Sequence, residues 1–351
     1  MTGRPGVLER FAAELPITTA TPRLSLQEGS TPLIAAPRLA DWLGIAEVHL
    51  KYEGLNPSGS FKDRGMVLAV ARALEEGAPA VLCASTGNTA ASAAAYAAHA
   101  GIDAVVLLPA GRVAAGKLAQ AVMHGARVVT VRGNFDDALR IARTAAERYH
   151  VALVNSVNPL RIEGQTTAAY EVCEALGDAP ALLALPVGNG GNITAYRLGF
   201  QRAPAQGRAR RQPRLLGAQA AGAAPLVLGH PVAEPETVAT AIRIGHPATW
   251  EPAVAAARDS GGMLRAVSDE EILDAYRAIA RLAGVFCEPA SAAGVAALRS
   301  AVRAGEVAPD TQCVCVLTGH GLKDPETAVR GLPAGAEIAP TPEALAAELG
   351  W

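Results

Sequence analysis

The chain has 351 residues, half of them hydrophobic, with 35 glycines, 24 prolines and a formal net charge of -2. That is enough apolar material for one large core or two moderate ones, in a composition that suits an α/β enzyme with many tight strand–helix turns. The near-neutral charge removes any electrostatic case for nucleic acid or an anionic membrane surface.

No apolar run approaches the roughly 18 residues needed to span a bilayer. Arg4, Glu9, Arg10 and Glu14 interrupt the first 20 residues, so no signal peptide is expected. Cys83, Cys173, Cys287, Cys313 and Cys315 all lie in apolar surroundings and form no C-x-x-C, which reads as small reduced core residues of a cytosolic, cytoplasmic protein. The seven histidines show no H-x-x-x-H or H-E-x-x-H pattern, and no metal site is expected. The one basic cluster, residues 208–214, has no interleaved aromatics and reads as a solvated loop.

Strand and helix signals alternate in chain order. Residues 48–52 alternate like a strand, and 61–76 have helical periodicity stopped by Gly77. Strand 80–84, helix 89–100, strand 104–108, helix 114–124, strand 127–131 and helix 134–149, with Asn134 as cap, follow. A second series runs through strand 151–154, helix 162–176, strand 181–187, helix 192–200 and strand 214–218. A capping-box start at Ser268 and Glu271 opens a helix to 283, and helix 289–303 and strand 312–317 complete the pattern. The expectation is two open twisted-sheet α/β domains with the active site between them, beyond the carboxyl ends of the strands. Residues 62–150 would form the small domain, and 1–61 with 151–351 the large one.

Only four of the 31 basic residues are lysine: Lys51, Lys62, Lys117 and Lys323. Arginine replaces lysine where charge alone is wanted, but its guanidinium cannot form a Schiff base. Lys62 leads this short list, because it follows a Ser/Gly turn and opens a helix. Three glycine-rich segments each follow a strand. Residues 85–89 (STGNT) offer hydroxyls and free N–H groups at a helix start, which suits a carboxylate or phosphate. Residues 186–192 (PVGNGGN) let successive N–H groups turn toward one anion. Residues 317–324 (LTGHGLKD) place the Thr318 hydroxyl at a strand end, where it could meet a ring nitrogen. An imine-forming lysine with strand-end anion loops implies a phosphorylated aldehyde cofactor. Pyridoxal 5'-phosphate fits, with the Schiff base at Lys62, the phosphate in the 188–192 loop and the pyridine nitrogen at Thr318.

Residues 51–65 (KYEGLNPSGSFKDRG) resemble the lysine segment of the threonine synthase family of fold type II pyridoxal-phosphate enzymes. The resemblance continues in order through 84–90 (ASTGNTA), 153–159 (LVNSVNP), 161–165 (RIEGQ), 188–192 (GNGGN), 286–291 (FCEPAS) and 321–325 (GLKDP). It implies conversion of O-phospho-L-homoserine and water to L-threonine and phosphate, by γ-elimination and β-hydration. It also implies that Lys62 anchors the cofactor and moves the α-proton. Asn88 would meet the ring hydroxyl; Gly188, Asn189, Gly190, Gly191 and Asn192 would hold the cofactor phosphate; Thr318 would meet the ring nitrogen. Ser85, Thr86 and Thr89 would take the substrate carboxylate, and Lys117, Asn155, Ser156 and Arg161 the substrate phosphate. A neutral Thr318 hydroxyl would leave the ring nitrogen largely unprotonated. A homodimer is implied by the resemblance alone. His320 stands where the family pattern has asparagine, and Gly190 where many members carry alanine.

Bland readings exist for several of these residues. Arg161 could pair with Glu163, Lys117 could be a surface residue, Lys323 could pair with Asp324 or Asp63, and His320 could face either the cofactor ring or solvent. The runner-up activity is a threonine/serine dehydratase or another β-eliminating or β-replacing enzyme of the same fold, which would need no Lys117/Arg161 pair. A non-catalytic ligand binder would lack an aldimine absorbance. A nicotinamide oxidoreductase would need a G-x-G-x-x-G, which is absent.

Overall fold

The computed structural model describes residues 4–110, 115–133, 135–330 and 335–351; for 115–117, 135 and 136 it describes the backbone alone. Among the described residues ten strands form two sheets. The larger has the order β1 (Leu33–Ala35), β2 (Glu47–Tyr52), β10 (Gln312–Leu317), β7 (Leu182–Pro186), β8 (Arg214–Ala220) and β9 (Met263–Val267). The smaller has the order β5 (Arg127–Val131), β4 (Asp103–Pro109), β3 (Ala80–Ala84) and β6 (Ala152–Leu153). Every pairing is parallel except β1 on β2, where Leu33 faces Lys51 across an antiparallel ladder.

The central strands read as continuous apolar runs because helices cover both of their faces. β10 is Gln-Cys-Val-Cys-Val-Leu, with every residue after Gln312 buried, and β7 is buried throughout. Cys313, Cys315 and Leu317 face one apolar cluster with the helix Pro289–Arg303, while Val314 and Val316 face another with the helix Gly191–Arg202. The period-2 alternation of a strand thus divides one sequence between two cores. All five cysteines are buried and free, as expected of small core residues.

The expected division of the chain needs two corrections. β6 pairs with Val81 and Leu82 of the smaller sheet, so the small unit extends past residue 150. Val7, Leu8, Phe11 and Leu15 bury themselves beside Met66, Val70 and Tyr96 in the smaller sheet's cluster, away from the larger sheet. The N-terminal 60 residues are therefore split: their first apolar group serves one core, and β1 and β2 extend the other. Asn134, expected as a helix cap, lies outside the described residues; the helix that follows is Phe135–Tyr149.

Parallel topology sets the carboxyl ends of β2, β10 and β7 side by side. The loops leaving them carry Lys62, Thr318 and the glycine run 188–191. The carboxyl ends of β3 and β6 deliver residues 85–88 and 155–161 from the other sheet. Two glycines set the distance between these groups. The helix Lys62–Glu75 crosses the helix Pro159–Leu176 at Gly65 and Gly164. A Cβ on Gly65 would lie 2.3 Å from the Arg161 carbonyl oxygen, and one on Gly164 would lie 2.2 Å from that of Arg64. Backbone contact at this crossing brings Lys62 and Arg161 into one site.

Behind the crossing lies a fully enclosed ion cluster. Arg64 donates to both oxygens of Glu53, at 2.7 and 2.8 Å, and to both oxygens of Glu171, at 2.8 and 2.6 Å. Lys51 donates to Glu171 at 2.7 Å and to the Thr31 carbonyl at 2.8 Å. Burial pushes the Glu171 carboxyl up, but Arg64 and Lys51 together pull it well below the usual carboxylate range. Two cations and two carboxylates, all hydrogen-bonded, make this a balanced buried network.

Candidate active site

Lys62 is the first residue of its helix, and its Nζ stands 4.3 Å from the centre of the Phe61 ring. Burial, assisted by the nearby Arg161 cation and opposed by Glu288, lowers its pKa from 10.5 to about 7. An amine in that range is a usable base and nucleophile at neutral pH. Its loop is fastened on two sides. Asp63 accepts from the Ser58 amide at 2.7 Å, from the Ser92 hydroxyl at 2.6 Å and from the Ser58 hydroxyl. Phe61 N donates to Thr318 O at 3.0 Å, and His320 N donates to Gly59 O at 2.9 Å, zipping the lysine loop to the loop after β10.

Across from Lys62, Asn88 opens the helix Asn88–Ala100, and its amide donates to Glu288 at 3.1 Å. Thr318 donates to the same carboxylate at 3.2 Å and shares a 3.0 Å hydrogen bond with Ser291. Glu288 and Ser291 had no assigned role in the sequence. Glu288 precedes Pro289 and so reads as an ordinary helix cap, yet its side chain makes no capping hydrogen bond and turns into the site. Ser85 accepts from Gly87 N at 3.3 Å, whereas the Thr86 and Thr89 hydroxyls have no partner among the described residues. With a glycine N-cap, this helix start keeps its polar groups available for an anion.

The loop from Gly188 to Asn192 turns tightly into the helix Gly191–Arg202. Gly190 adopts φ 86°, and a Cβ there would lie 2.6 Å from the Thr249 carbonyl, which explains glycine at this position. Asn189 braces the turn: Thr249 N donates to its carbonyl at 3.0 Å, and Ala248 N to its side chain at 3.2 Å. The Asn192 amide nitrogen is buried without an acceptor among the described residues.

Arg161 is 1% exposed, donates one bond to Val154 O at 3.1 Å, and has no carboxylate partner among the described residues; its Nε is unsatisfied. Burial lowers its pKa to about 10, with Cys83 weakly opposing. The bland reading of Arg161 fails, because Glu163 is engaged by Arg202 at 2.6 and 3.0 Å. A second expectation is corrected. Asn155 accepts from Ala84 N and donates to Ala84 O, both at 2.9 Å, so its side chain extends the β3 ladder and has no group left for a substrate phosphate. Ser156, beside it, is half-buried and makes no hydrogen bond to the described residues. The Lys117 side chain lies outside the described residues.

The remaining lysines differ from expectation. Lys51 belongs to the ion cluster. Lys323 donates to Gln120 instead of bonding Asp324 or Asp63, and Gln120 in turn donates to Ser58 O at 3.2 Å. His320 neither faces the site nor points to solvent: its ring stacks on Tyr52 at 6.2 Å and meets Phe286 edge-on at 6.0 Å. Among the described residues no group of acidic, histidine or cysteine side chains could hold a metal ion, and no helix is long and apolar enough to cross a membrane.

The family model for pyridoxal-phosphate dependent enzymes matches residues 24–319. The chain belongs to that family. It is 57% identical to a threonine synthase of Mycobacterium leprae over 99% of this chain and 96% of that protein. It is 53% identical to a threonine synthase of Synechocystis sp., over 99% of this chain and 91% of that protein. Among solved structures, a bacterial threonine deaminase superposes with a TM-score of 0.69 at 28% identity, covering 90% of this chain and 96% of that one. The architecture is that of fold type II, and pyridoxal phosphate is the family's cofactor. The residues present fit it: a free amine of lowered pKa, an uncommitted Asn192 amide beside three glycines, and polar groups from both sheets on the same hollow.

Proposed function

We infer that the chain converts O-phospho-L-homoserine and water into L-threonine and phosphate. The observation that carries this reading is the buried, unpaired Arg161 guanidinium close enough to Lys62 to depress its pKa. A buried cation without a counter-charge is costly, and a phosphoryl group from the substrate would supply that charge. The threonine synthases that align along 99% of the chain support the same activity.

Pyridoxal phosphate supplies an aldehyde for Lys62 and a ring that draws electron density from the substrate's α-carbon. In this reading Lys62 holds the cofactor, then takes and returns the protons at Cα and Cβ. Asn88 and Thr318 orient the ring, and Gly188 to Asn192 hold its phosphate. Ser85, Thr86, Thr89 and the adjacent helix N–H groups receive the substrate carboxylate. Arg161, with Ser156 and Lys117, stabilises the negative charge that grows as phosphate leaves Cγ. Two cations facing a neutral hydroxyl would disfavour unphosphorylated homoserine. The β-eliminating alternative, suggested by the deaminase-like fold, gives Arg161 no anion. A cytoplasmic homodimer accompanies this proposal, and sedimentation tests the dimer.

Phosphate release and threonine formation should both follow from O-phospho-L-homoserine and vanish in Lys62→Ala. Turnover of threonine, serine or O-acetylserine, with none of the phosphorylated substrate, would overturn the reading.

A further inference from the structure

Thr318 taken by itself predicts an unprotonated ring nitrogen, because a hydroxyl is a poor counter-ion for a pyridinium. The structure puts a carboxyl group directly behind it. Glu288 is 4% exposed and is held from several directions. Its backbone N donates to Gly319 O at 3.0 Å, and a Cβ on Gly319 would lie 2.6 Å from its carboxyl carbon, so the carboxyl group sits against bare backbone. Asn88 and Thr318 both donate to it. Ser291 accepts from Gly319 N at 3.1 Å and faces the Thr318 hydroxyl at 3.0 Å, which fixes that oxygen in turn. Asn88 and Thr318 are the two side chains assigned above to the ring oxygen and the ring nitrogen.

We propose that Glu288 and Thr318 form a relay of two hydrogen bonds that shares one proton with the cofactor's ring nitrogen. This rests on the ring placement proposed above. A hydroxyl carries one hydrogen and two lone pairs, while an ionised carboxylate only accepts. When Glu288 is ionised, Thr318 donates to it and turns a lone pair toward a protonated ring nitrogen. When Glu288 is protonated, it donates to Thr318, whose own hydrogen turns to an unprotonated nitrogen. One proton is exchanged between Glu288 Oε1 and the ring nitrogen. The hydroxyl gains one hydrogen as it releases the other, and the total charge is unchanged. Burial raises the Glu288 pKa, opposed by Asn88, Lys323, Thr318 and Lys62, so the carboxyl has a proton to share. The relay would let the ring gain a positive charge when it takes up electron density, which two successive deprotonations require of it. Asn88 keeps a second N–H for the ring oxygen in both states.

The test is the ring-nitrogen NMR shift of holoenzyme loaded with ¹⁵N-labelled pyridoxal phosphate, with and without substrate. The wild type should show a protonated or partly protonated nitrogen that becomes more protonated with substrate. Glu288→Gln keeps the shape and an acceptor oxygen but removes the proton, and should show a neutral nitrogen throughout, with unchanged cofactor affinity. A neutral nitrogen in the wild type, or the same shift in wild type and Glu288→Gln, would overturn the relay. Thr318→Val separates the two layers. If it leaves a protonated shift unchanged while Glu288→Gln does not, the ring placement is wrong and the relay falls with it.

Discussion

Two lysine–arginine pairs lie back to back across one helix crossing, and they are treated in opposite ways. Lys51 and Arg64 are sealed inside the protein with two carboxylates, and their hydrogen-bonding capacity is spent on Glu53, Glu171 and Thr31. Lys62 and Arg161 are also enclosed, yet among the described residues Lys62 has no side-chain hydrogen bond and Arg161 has one carbonyl. Burial of charge is common to both regions. What differs is whether the protein itself supplies the counter-charge. The first pair holds three chain segments together, and the second is left for a ligand to complete.

The largest expected effect breaks the reactive pair. Lys62→Ala should lower turnover by at least the roughly 10²–10⁴-fold that a positioned acid–base group supplies, with unchanged thermal unfolding. Next comes the balanced pair. Glu171→Ala leaves Arg64 and Lys51 without their shared carboxylate and should cost about 3–5 kcal/mol of unfolding free energy in a denaturant titration. Arg161→Met should do the reverse, with stability of the cofactor-free protein rising by about 0.5–2 kcal/mol because an uncompensated cation is gone. A loss of stability in that variant would mean that Arg161 is structural.

The smallest effect is a slope with pH. The folded-state pKa of Lys62 is lowered from 10.5 to about 7, so between these values the unfolded chain binds more protons than the folded one. Lys62 therefore works against folding below about pH 7, and the cofactor-free protein should gain stability as pH rises from 7 toward 10.5. Lys62→Met should flatten that part of the profile. An equal slope in both proteins would place the lowered pKa elsewhere.

Much of this organisation was legible in the sequence. The parallel strands β3, β4, β5, β7, β8 and β10 stand out as short apolar runs between helical periods, and the glycine loops fall at their carboxyl ends. β1 and β9 were not legible. β1 has only three residues, and β9 lies at the edge of the larger sheet with Arg265 in its centre, so neither shows the apolar run of a central strand. Lysine scarcity was a sound guide to Lys62 and a misleading one for Lys51, because composition does not reveal which cations meet carboxylates in space. Asn155 and Glu288 failed in opposite directions. Asn155 sits in a motif that suggests substrate contact and is consumed by the Ala84 backbone, whereas Glu288 looks like a helix cap and faces Thr318. Both depend on side-chain direction at a strand end or helix start, which spacing along the chain does not encode.

The most direct measurement is kcat/KM for O-phospho-L-homoserine in wild type and Arg161→Met, with cofactor absorbance recorded on the same samples. The unpaired guanidinium predicts a loss of about 2–5 kcal/mol in transition-state stabilisation, roughly 30-fold or more, with the cofactor spectrum unchanged. Equal kcat/KM in the two proteins would contradict the claim that Arg161 is held for the substrate's phosphate.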